Sequence, residues 1–243
     1  DPLGYGEDSV ETRLTQEYGG MDFYFVADRS GSQNEIDPTS QKPKKEEQQL
    51  ALFLFLDSVY GFSYQTAQNL ASYRGKILRM NLDGSPVVTN PFYNGGTVDS
   101  RDYVFAYGVR NPFGGAWRAS DGFRYVVENG PSVDRFARIV PGRNYGWNDT
   151  DASMYTFALY NWNPASGPVN LAFVQPQTFG GSGFPPSRMD HAFVTESGAT
   201  YAQGQQTIGK RITEFVLDAA GNRISGPIPF VEYVGDGFAT AVG

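Results

Sequence analysis

The chain has 243 residues, a formal net charge of −7 and a sequence pI near 4.8. This acidity argues against a nucleic-acid-binding protein, because binding to phosphates needs clustered lysine and arginine. The absence of cysteine excludes disulfides, thiolate catalysis and zinc sites built from cysteine. The longest apolar run, residues 50–56, is too short for a transmembrane helix, which needs about 20 residues.

The composition indicates an all-β fold. There are 29 glycines, 15 prolines and 15% aromatic residues, which is typical of short strands joined by tight turns. A helical turn is predicted at residues 65–73 and a tight turn at 219–222. Strands are predicted, in chain order, at residues 21–26, 76–81, 102–107, 123–127, 136–140, 169–174, 191–195, 211–217 and 230–234. This pattern is compatible with a β-sandwich, a β-barrel or a β-propeller.

Residues 32–63 interrupt the rhythm of strands and turns. Their first half is polar and charged, and their second half contains the apolar run 50–56. We interpret the segment as a long inserted loop whose apolar part folds back onto the body of the protein. A short helix is the alternative for that apolar part.

Residues 107–117 (YGVRNPFGGAW) place Arg110 and Asn111 between two short apolar segments. Pro112 cannot continue a hydrogen-bonded ladder, so we predict a strand that ends here and opens into a loop. A guanidinium in such a loop matches a carboxylate or another acidic, carbonyl-rich ligand. The alternative is an arginine that only satisfies neighbouring carbonyl groups.

The order of several motifs resembles the glucose/sorbosone dehydrogenase family. The matching stretches are residues 74–85, 90–92, 108–112, 128–131, 141–147, 162–173 and 211–218. The resemblance implies a soluble quinoprotein sugar dehydrogenase, which uses pyrroloquinoline quinone (PQQ) and calcium on a six-bladed β-propeller of four-stranded antiparallel blades. About four blades would fit this length. We therefore expect a single propeller domain over residues 1–243, incomplete at both ends and part of a longer polypeptide.

The resemblance also implies roles for individual residues. Arg110 and Asn111 would face the quinone, and the carbonyl groups of Gly130 and Pro131 would bind calcium, which accepts main-chain oxygen ligands. Trp162 would stack on the cofactor, since a large planar ring suits a planar ligand. The alternatives are an ordinary turn at Gly130-Pro131 and a buried structural tryptophan.

One departure from the family concerns the base that takes the proton of the sugar hydroxyl, a role that suits histidine. The segment that resembles the family's histidine has Ser9 at that position, with Asp8 before it, and serine is a poor base at neutral pH. The single histidine, His191, lies at the start of a later strand, where we expect a structural role.

Two functions follow from these observations. The first is oxidation of an aldose hydroxyl to a lactone, with hydride transfer to PQQ. The second is a non-catalytic extracellular propeller that binds a protein partner through residues 32–63 or through open blade edges. A hydrolase or lactonase is less favoured, because no cluster of inward carboxylates or histidines is evident. The resemblance implies a secreted or periplasmic location.

Overall fold

The computed structural model contains mainly β-strands as its regular secondary structure, in the part of the chain that it describes. It describes the backbone of residues 10–14, 23–27, 52–55 and 64, and the backbone and side chains of residues 65–81, 83–175, 183–198 and 210–234. The strands in these ranges are β1 (Val10–Leu14), β2 (Phe23–Ala27), β3 (Leu52–Phe55), β4 (Lys76–Met80), β5 (Val104–Tyr107), β6 (Pro112–Arg118), β7 (Phe123–Glu128), β8 (Asp134–Ile139), β9 (Ala158–Trp162), β10 (Pro168–Phe173), β11 (Ala192–Glu196), β12 (Arg211–Leu217) and β13 (Arg223–Glu232). The helical segments there are α1 (Tyr64–Gln68) and the 3-10 turns Ser100–Tyr103, Asp151–Tyr155 and Pro186–Arg188.

The strands form sheets in chain order, and every neighbouring pair is antiparallel. Two complete four-stranded sheets are β6–β7–β8–β9 and β10–β11–β12–β13. A three-stranded sheet, β3–β4–β5, and the β1–β2 pair precede them. Successive antiparallel meanders of this kind are the building plan of propeller blades. The all-β class is confirmed.

Most predicted strands are confirmed within two residues, namely β2, β4, β7, β8, β10, β11 and β12. The turn at residues 219–222 is also confirmed, because the backbone N–H of Gly221 donates to the carbonyl of Asp218. Helix α1 lies within the predicted helical turn except for its first residue. Strands β1, β6 and β9 were not predicted, and β3 lies in the segment predicted as an insertion.

The apolar part of the predicted insertion requires a correction. Residues 52–55 form β3, which pairs with β4 from Leu52 opposite Met80 to Phe55 opposite Ile77. These residues are therefore a strand and neither a loop nor a short helix, but the apolar part does fold back onto the body of the protein, as predicted, by pairing with β4. Alternating Leu and Phe residues suit a strand, although a short apolar run alone does not separate strand from helix. The remainder of residues 32–63 lies outside the described residues.

Three further boundaries differ from prediction for local reasons. The segment predicted as a strand from residue 102 begins as a 3-10 turn, because Asp99 and Asp102 form a reciprocal capping box. The predicted strand end and loop are present, since β5 ends at Tyr107 and Arg110 and Asn111 lie in the link 108–111, but Pro112 itself starts β6, because proline is tolerated as the first residue of a strand. Strand β13 extends seven residues further toward the N-terminus than predicted, through Pro227 and Pro229. In the described structure its neighbour is β12 alone, and an edge strand tolerates the missing N–H groups.

The sheet β6–β9 is buried on both faces. Tyr125 and Val127 of β7 point toward β10–β13, whereas Val126 points toward β4 and β5, as the two-residue period of a strand requires. The core beside β10–β13 also contains Phe136 and Phe215, whose ring centroids are 5.2 Å apart. Each such buried side chain contributes about 1.5–3 kcal/mol to the free energy of unfolding. Packing on both faces fixes the middle sheet between its neighbours.

The first strands of the two complete sheets, β6 and β10, approach each other closely. A Cβ atom added at Gly114 would lie 2.5 Å from the Cα atom of Asn170. Glycine is therefore required at this contact. The contact brings the connections at one end of these sheets together. We call this group the loop end: residues 108–111, 129–133, 163–167 and 197–198.

Candidate functional site

Arg110 lies in the four-residue link between β5 and β6, as a half-buried residue. Its backbone N–H donates to Glu128 Oε1, and its Nη1 donates to the carbonyl oxygen of Asn129 at 2.6 Å. The guanidinium lies over the ring of Trp147, with 5.4 Å from Cζ to the ring centroid. Arg110 Nε is buried and has no hydrogen-bond partner among the described residues. The link therefore holds a cation that still has donor capacity.

Asn129 joins the Arg110-Asn111 link to the next turn. Its backbone N–H donates to the carbonyl of Asn111 at 2.9 Å. Its side-chain Nδ2 donates to the carbonyl of Pro168 at 2.9 Å, which adds the start of β10. Three segments that are distant in sequence are thus bound to one another by a single residue. Sequence analysis did not identify Asn129 as part of the site.

The turn from β7 to β8 has a fixed shape. A Cβ atom added at Gly130 would lie 1.9 Å from the carbonyl oxygen of Val133, so only glycine fits. The N–H of Gly130 donates to Asp134 Oδ1 at 3.0 Å. Pro131 is exposed, and no described residue donates to the carbonyl oxygens of Gly130 and Pro131. Such oxygens are suitable ligands for calcium.

Asp134 ties this turn to the turn before β10. Its Oδ2 accepts from the backbone N–H groups of Ser166 at 2.8 Å and Gly167 at 2.9 Å. Burial raises the pKa of Asp134 to about 6, while these N–H groups, that of Gly130 and the charge of Arg110 act in the opposite direction. The carboxylate accepts three backbone N–H groups, which makes it a rigid connection within the loop end.

A buried ion pair lies behind the Arg110 link. Glu128 and Arg135 are directly opposite each other on β7 and β8, and both side chains are 0% exposed. Glu128 Oε2 accepts from Arg135 Nε at 2.9 Å and from Nη2 at 2.6 Å. Sequence analysis missed this pair. The available signal was an acidic and a basic residue placed between the predicted strands 123–127 and 136–140, each directly next to one of them.

Trp162 is in a different environment from the one predicted. It is the last residue of β9 and lies opposite Asp134 in the ladder, so its backbone is close to the loop end. The residue is 2% exposed, and its ring packs against Tyr160 and Phe215, with centroid distances of 5.1 and 5.7 Å. Stacking on a cofactor stays a prediction, and this packing supports the alternative, a structural core tryptophan.

His191 has the structural role that we expected. It precedes β11, and its Nδ1 lies 2.6 Å from Glu214 Oε1. Glu214 Oε2 also accepts from Arg188 Nη1 at 2.6 Å. The imidazole is thus part of a local polar network. Asp8 and Ser9, the residues at the family's aspartate and histidine positions, lie outside the described residues.

The structure therefore brings Arg110, Asn111, Gly130 and Pro131 together at the loop end, through Asn129 and Asp134. The arrangement combines one cation, main-chain carbonyl oxygens and a rigid backbone. It is suited to a ligand that carries both carboxylate groups and a hard metal ion.

Fold and site together define the class of protein: a β-propeller whose antiparallel sheets pack face to face and carry a polar site in the loops at one end. Residues 46–210 match the glucose/sorbosone dehydrogenase family. The chain belongs to that family, and the resemblance noted in the sequence is confirmed.

Individual relatives agree with this assignment. Quinoprotein glucose dehydrogenase B of Acinetobacter calcoaceticus is 40% identical over 95 residues, which is 37% of this chain and 19% of the relative. An oxidoreductase of Thermus thermophilus, described as a glucose dehydrogenase, matches with a TM-score of 0.56 and 29% identity over 76% of this chain and 50% of that one. The PQQ-bound aldose sugar dehydrogenase of Streptomyces coelicolor matches in fold, with a TM-score of 0.51 and 24% identity over 70% of this chain and 43% of that one. The chain thus spans half or less of the length of these relatives.

Among the residues that the structure describes, no helix has the length and apolar character needed to cross a bilayer.

Proposed function

We propose that this chain binds PQQ and calcium at the loop end and, as part of a sugar dehydrogenase, oxidises an aldose hydroxyl to a lactone. The observation that carries the proposal is the pair of hydrogen bonds made by the backbone of Asn129. They bring the Arg110-Asn111 link against the Gly130-Pro131 turn. The family resemblance assigns these same four residues to the cofactor and to calcium.

The residues present fit these two groups. Arg110 offers a half-buried guanidinium that is held in place by the Asn129 carbonyl and by the Trp147 ring, which suits a carboxylate of the quinone. Gly130 and Pro131 offer carbonyl oxygens without a described donor, which suits calcium. When bound, PQQ would supply the quinone that accepts hydride from the sugar. The protein would orient the cofactor and hold its charge in a partly buried site.

The proton acceptor is not found among the described residues. His191 is bound to Glu214 and is half-buried in a separate network. Ser9, at the family's histidine position, and Asp8 lie outside the described residues. We propose that any turnover is slower than in a relative with histidine there, because serine lacks a pKa near neutrality.

Equilibrium binding tests the proposal. PQQ is titrated into the 243-residue chain with and without Ca²⁺, with the fluorescence of its three tryptophans as the signal. We expect binding at micromolar or lower concentrations that is strengthened by Ca²⁺. Dye reduction with a panel of aldoses then measures turnover. The absence of PQQ binding at micromolar concentrations would contradict the proposal.

A non-catalytic binding module is the second candidate. The observation that favours it is the exposed apolar character of β13 and of the residues after it: Ile224, Val231 and Tyr233 are 64%, 51% and 47% exposed. An open edge strand of this kind invites pairing with another chain. We place either function in a secreted or periplasmic protein, following the family. Deletion of residues 32–51, which leaves β3 intact, tests whether the polar part of the insertion binds a partner.

A further inference from the structure

We propose that the buried Glu128–Arg135 ion pair positions the Arg110-Asn111 link and thereby sets the affinity of the loop end for its anionic cofactor. Glu128 and Arg135 are positioning residues, because they act through Arg110. The inference rests on the proposed function in one respect, namely that the link contacts the cofactor.

The first step is that one oxygen of Glu128 is reserved for the link. Both N–H donors that Arg135 directs at Glu128, Nε and Nη2, converge on Oε2. The other oxygen, Oε1, accepts the backbone N–H of Arg110. The carboxylate thus connects the hairpin β7–β8 with the segment that carries the cation. A neutral or shifted side chain at Glu128 would weaken this connection.

The second step connects Arg135 with Arg110 through a different segment, the one that contains Trp147. Arg135 Nη1 donates to the carbonyl oxygens of Tyr145 at 2.8 Å and Thr156 at 2.9 Å, and to that of Ser153 at 3.4 Å. These contacts hold the segment that leads to Trp147. The ring of Trp147 lies under the Arg110 guanidinium, and its backbone N–H donates to the carbonyl of Gly108 at 2.8 Å, which fixes its position.

The third step is that stability alone does not explain a buried ion pair at this position. A buried ion pair is weak evidence for stability, because apolar residues of similar volume often serve as well or better. This pair is 0% exposed on both sides and lies on the face of β7 and β8 that also carries Arg124 and the apolar residues Val126, Ala137 and Ile139. Its distinctive property is that Glu128 accepts the backbone N–H of Arg110, while Arg135 holds the segment that carries the Trp147 ring under the same arginine. Such preorganisation lowers the ordering cost of ligand binding.

The experiment compares wild type with E128L/R135M, E128Q and R118M. The double variant removes both charges and keeps an apolar filling, so we expect it to remain folded. E128Q is the conservative variant. R118M is the control: Arg118 is also almost fully buried and pairs with Asp121 and Asp190, but it lies at the other end of β6. Thermal unfolding measures the stability of all four proteins.

Two readouts report on the link. The first is the Nε–H signal of Arg110 in nitrogen-15 NMR, identified with R110K. In wild type this buried N–H should exchange slowly with water. In E128L/R135M and E128Q it should broaden or shift. The second is the dissociation constant of PQQ in the presence of Ca²⁺, which should rise by about 10- to 100-fold, the effect typical of losing a partner that orients a ligand-binding group. R118M should change neither readout.

Each outcome has a definite meaning. The positioning role would be overturned if the double variant is folded, keeps the wild-type Arg110 signal and binds PQQ with a dissociation constant within about twofold of wild type. If the double variant does not fold, the same two measurements on E128Q decide. A change of the same size in R118M would also overturn it. If wild type binds no PQQ but the Arg110 signal responds as expected, the proposed function fails and the positioning role stands.

Discussion

Replacing Gly130 with alanine tests the calcium-binding role of its turn. The added Cβ atom would lie 1.9 Å from the carbonyl oxygen of Val133, whereas ordinary contact begins near 3.4 Å. The turn must therefore move by the difference, 1.5 Å. The obstacle is a backbone atom, so no side-chain rotation relieves it. We expect a loss of about 1–3 kcal/mol in the free energy of unfolding, as for other overpacked sites.

The same shift should weaken calcium binding. A displacement of this size moves the carbonyl oxygens of Gly130 and Pro131 relative to Arg110, and misplacement of about 1 Å at a binding site can cost about 100-fold. Urea unfolding gives the stability, and Ca²⁺ titration in the presence of PQQ gives the metal affinity. Gly183→Ala is the matched control, because a Cβ atom there meets nothing within 4 Å. If Gly130→Ala behaves like Gly183→Ala in both measurements, the fixed turn is not the calcium site.

Three further substitutions test other parts of the account. Arg110→Lys should weaken PQQ binding by about tenfold or more, because an ammonium group cannot form the two parallel hydrogen bonds of a planar guanidinium. Titration calorimetry measures the affinity, and an unchanged affinity would contradict the role of Arg110. Phe215→Ala should cost about 3–5 kcal/mol in urea unfolding, because the ring packs against Phe136, Tyr160 and Trp162 in the core; a cost below about 1 kcal/mol would contradict that packing. Lys76 donates to the carbonyls of Thr66, Ala67 and Arg74, and burial lowers its pKa to about 8 from 10.5. Between these two pKa values the unfolded state binds more protons than the folded state. The free energy of unfolding of the wild type should therefore rise by about 2 kcal/mol from about pH 8 to 10.5, relative to that of Lys76→Met. The same pH dependence in both proteins would contradict this prediction.

Most strands could be predicted from the sequence, because the alternation of apolar and polar residues and the positions of the turn residues indicate the same strand boundaries. Strand β12 ends before the turn at residues 219–222 and was predicted to the residue. Strands β6 and β13 were missed or shortened because their prolines argue against a strand. Proline is tolerated there only because of where the residues lie, at a strand start and on a sheet edge. Neither position can be known before the sheets are assembled.

The residues of the candidate site likewise fall into two groups, those that the sequence identified and those that it did not. Arg110, Asn111, Gly130 and Pro131 stand out in the sequence because short motifs surround them, and the structure places them side by side. Glu128, Asn129, Arg135 and Asp134 were not identified, since their roles are contacts between strands and turns that are distant in sequence. The burial of the Trp162 ring depends on Phe215, which comes 53 residues later and belongs to the next sheet.

A crystal structure of the chain with PQQ and Ca²⁺ tests the central claim most directly. The account predicts quinone density against the Arg110 guanidinium and a calcium ion on the carbonyl oxygens of the Gly130-Pro131 turn. Density for either group at another part of the propeller, with the loop end empty, would contradict it.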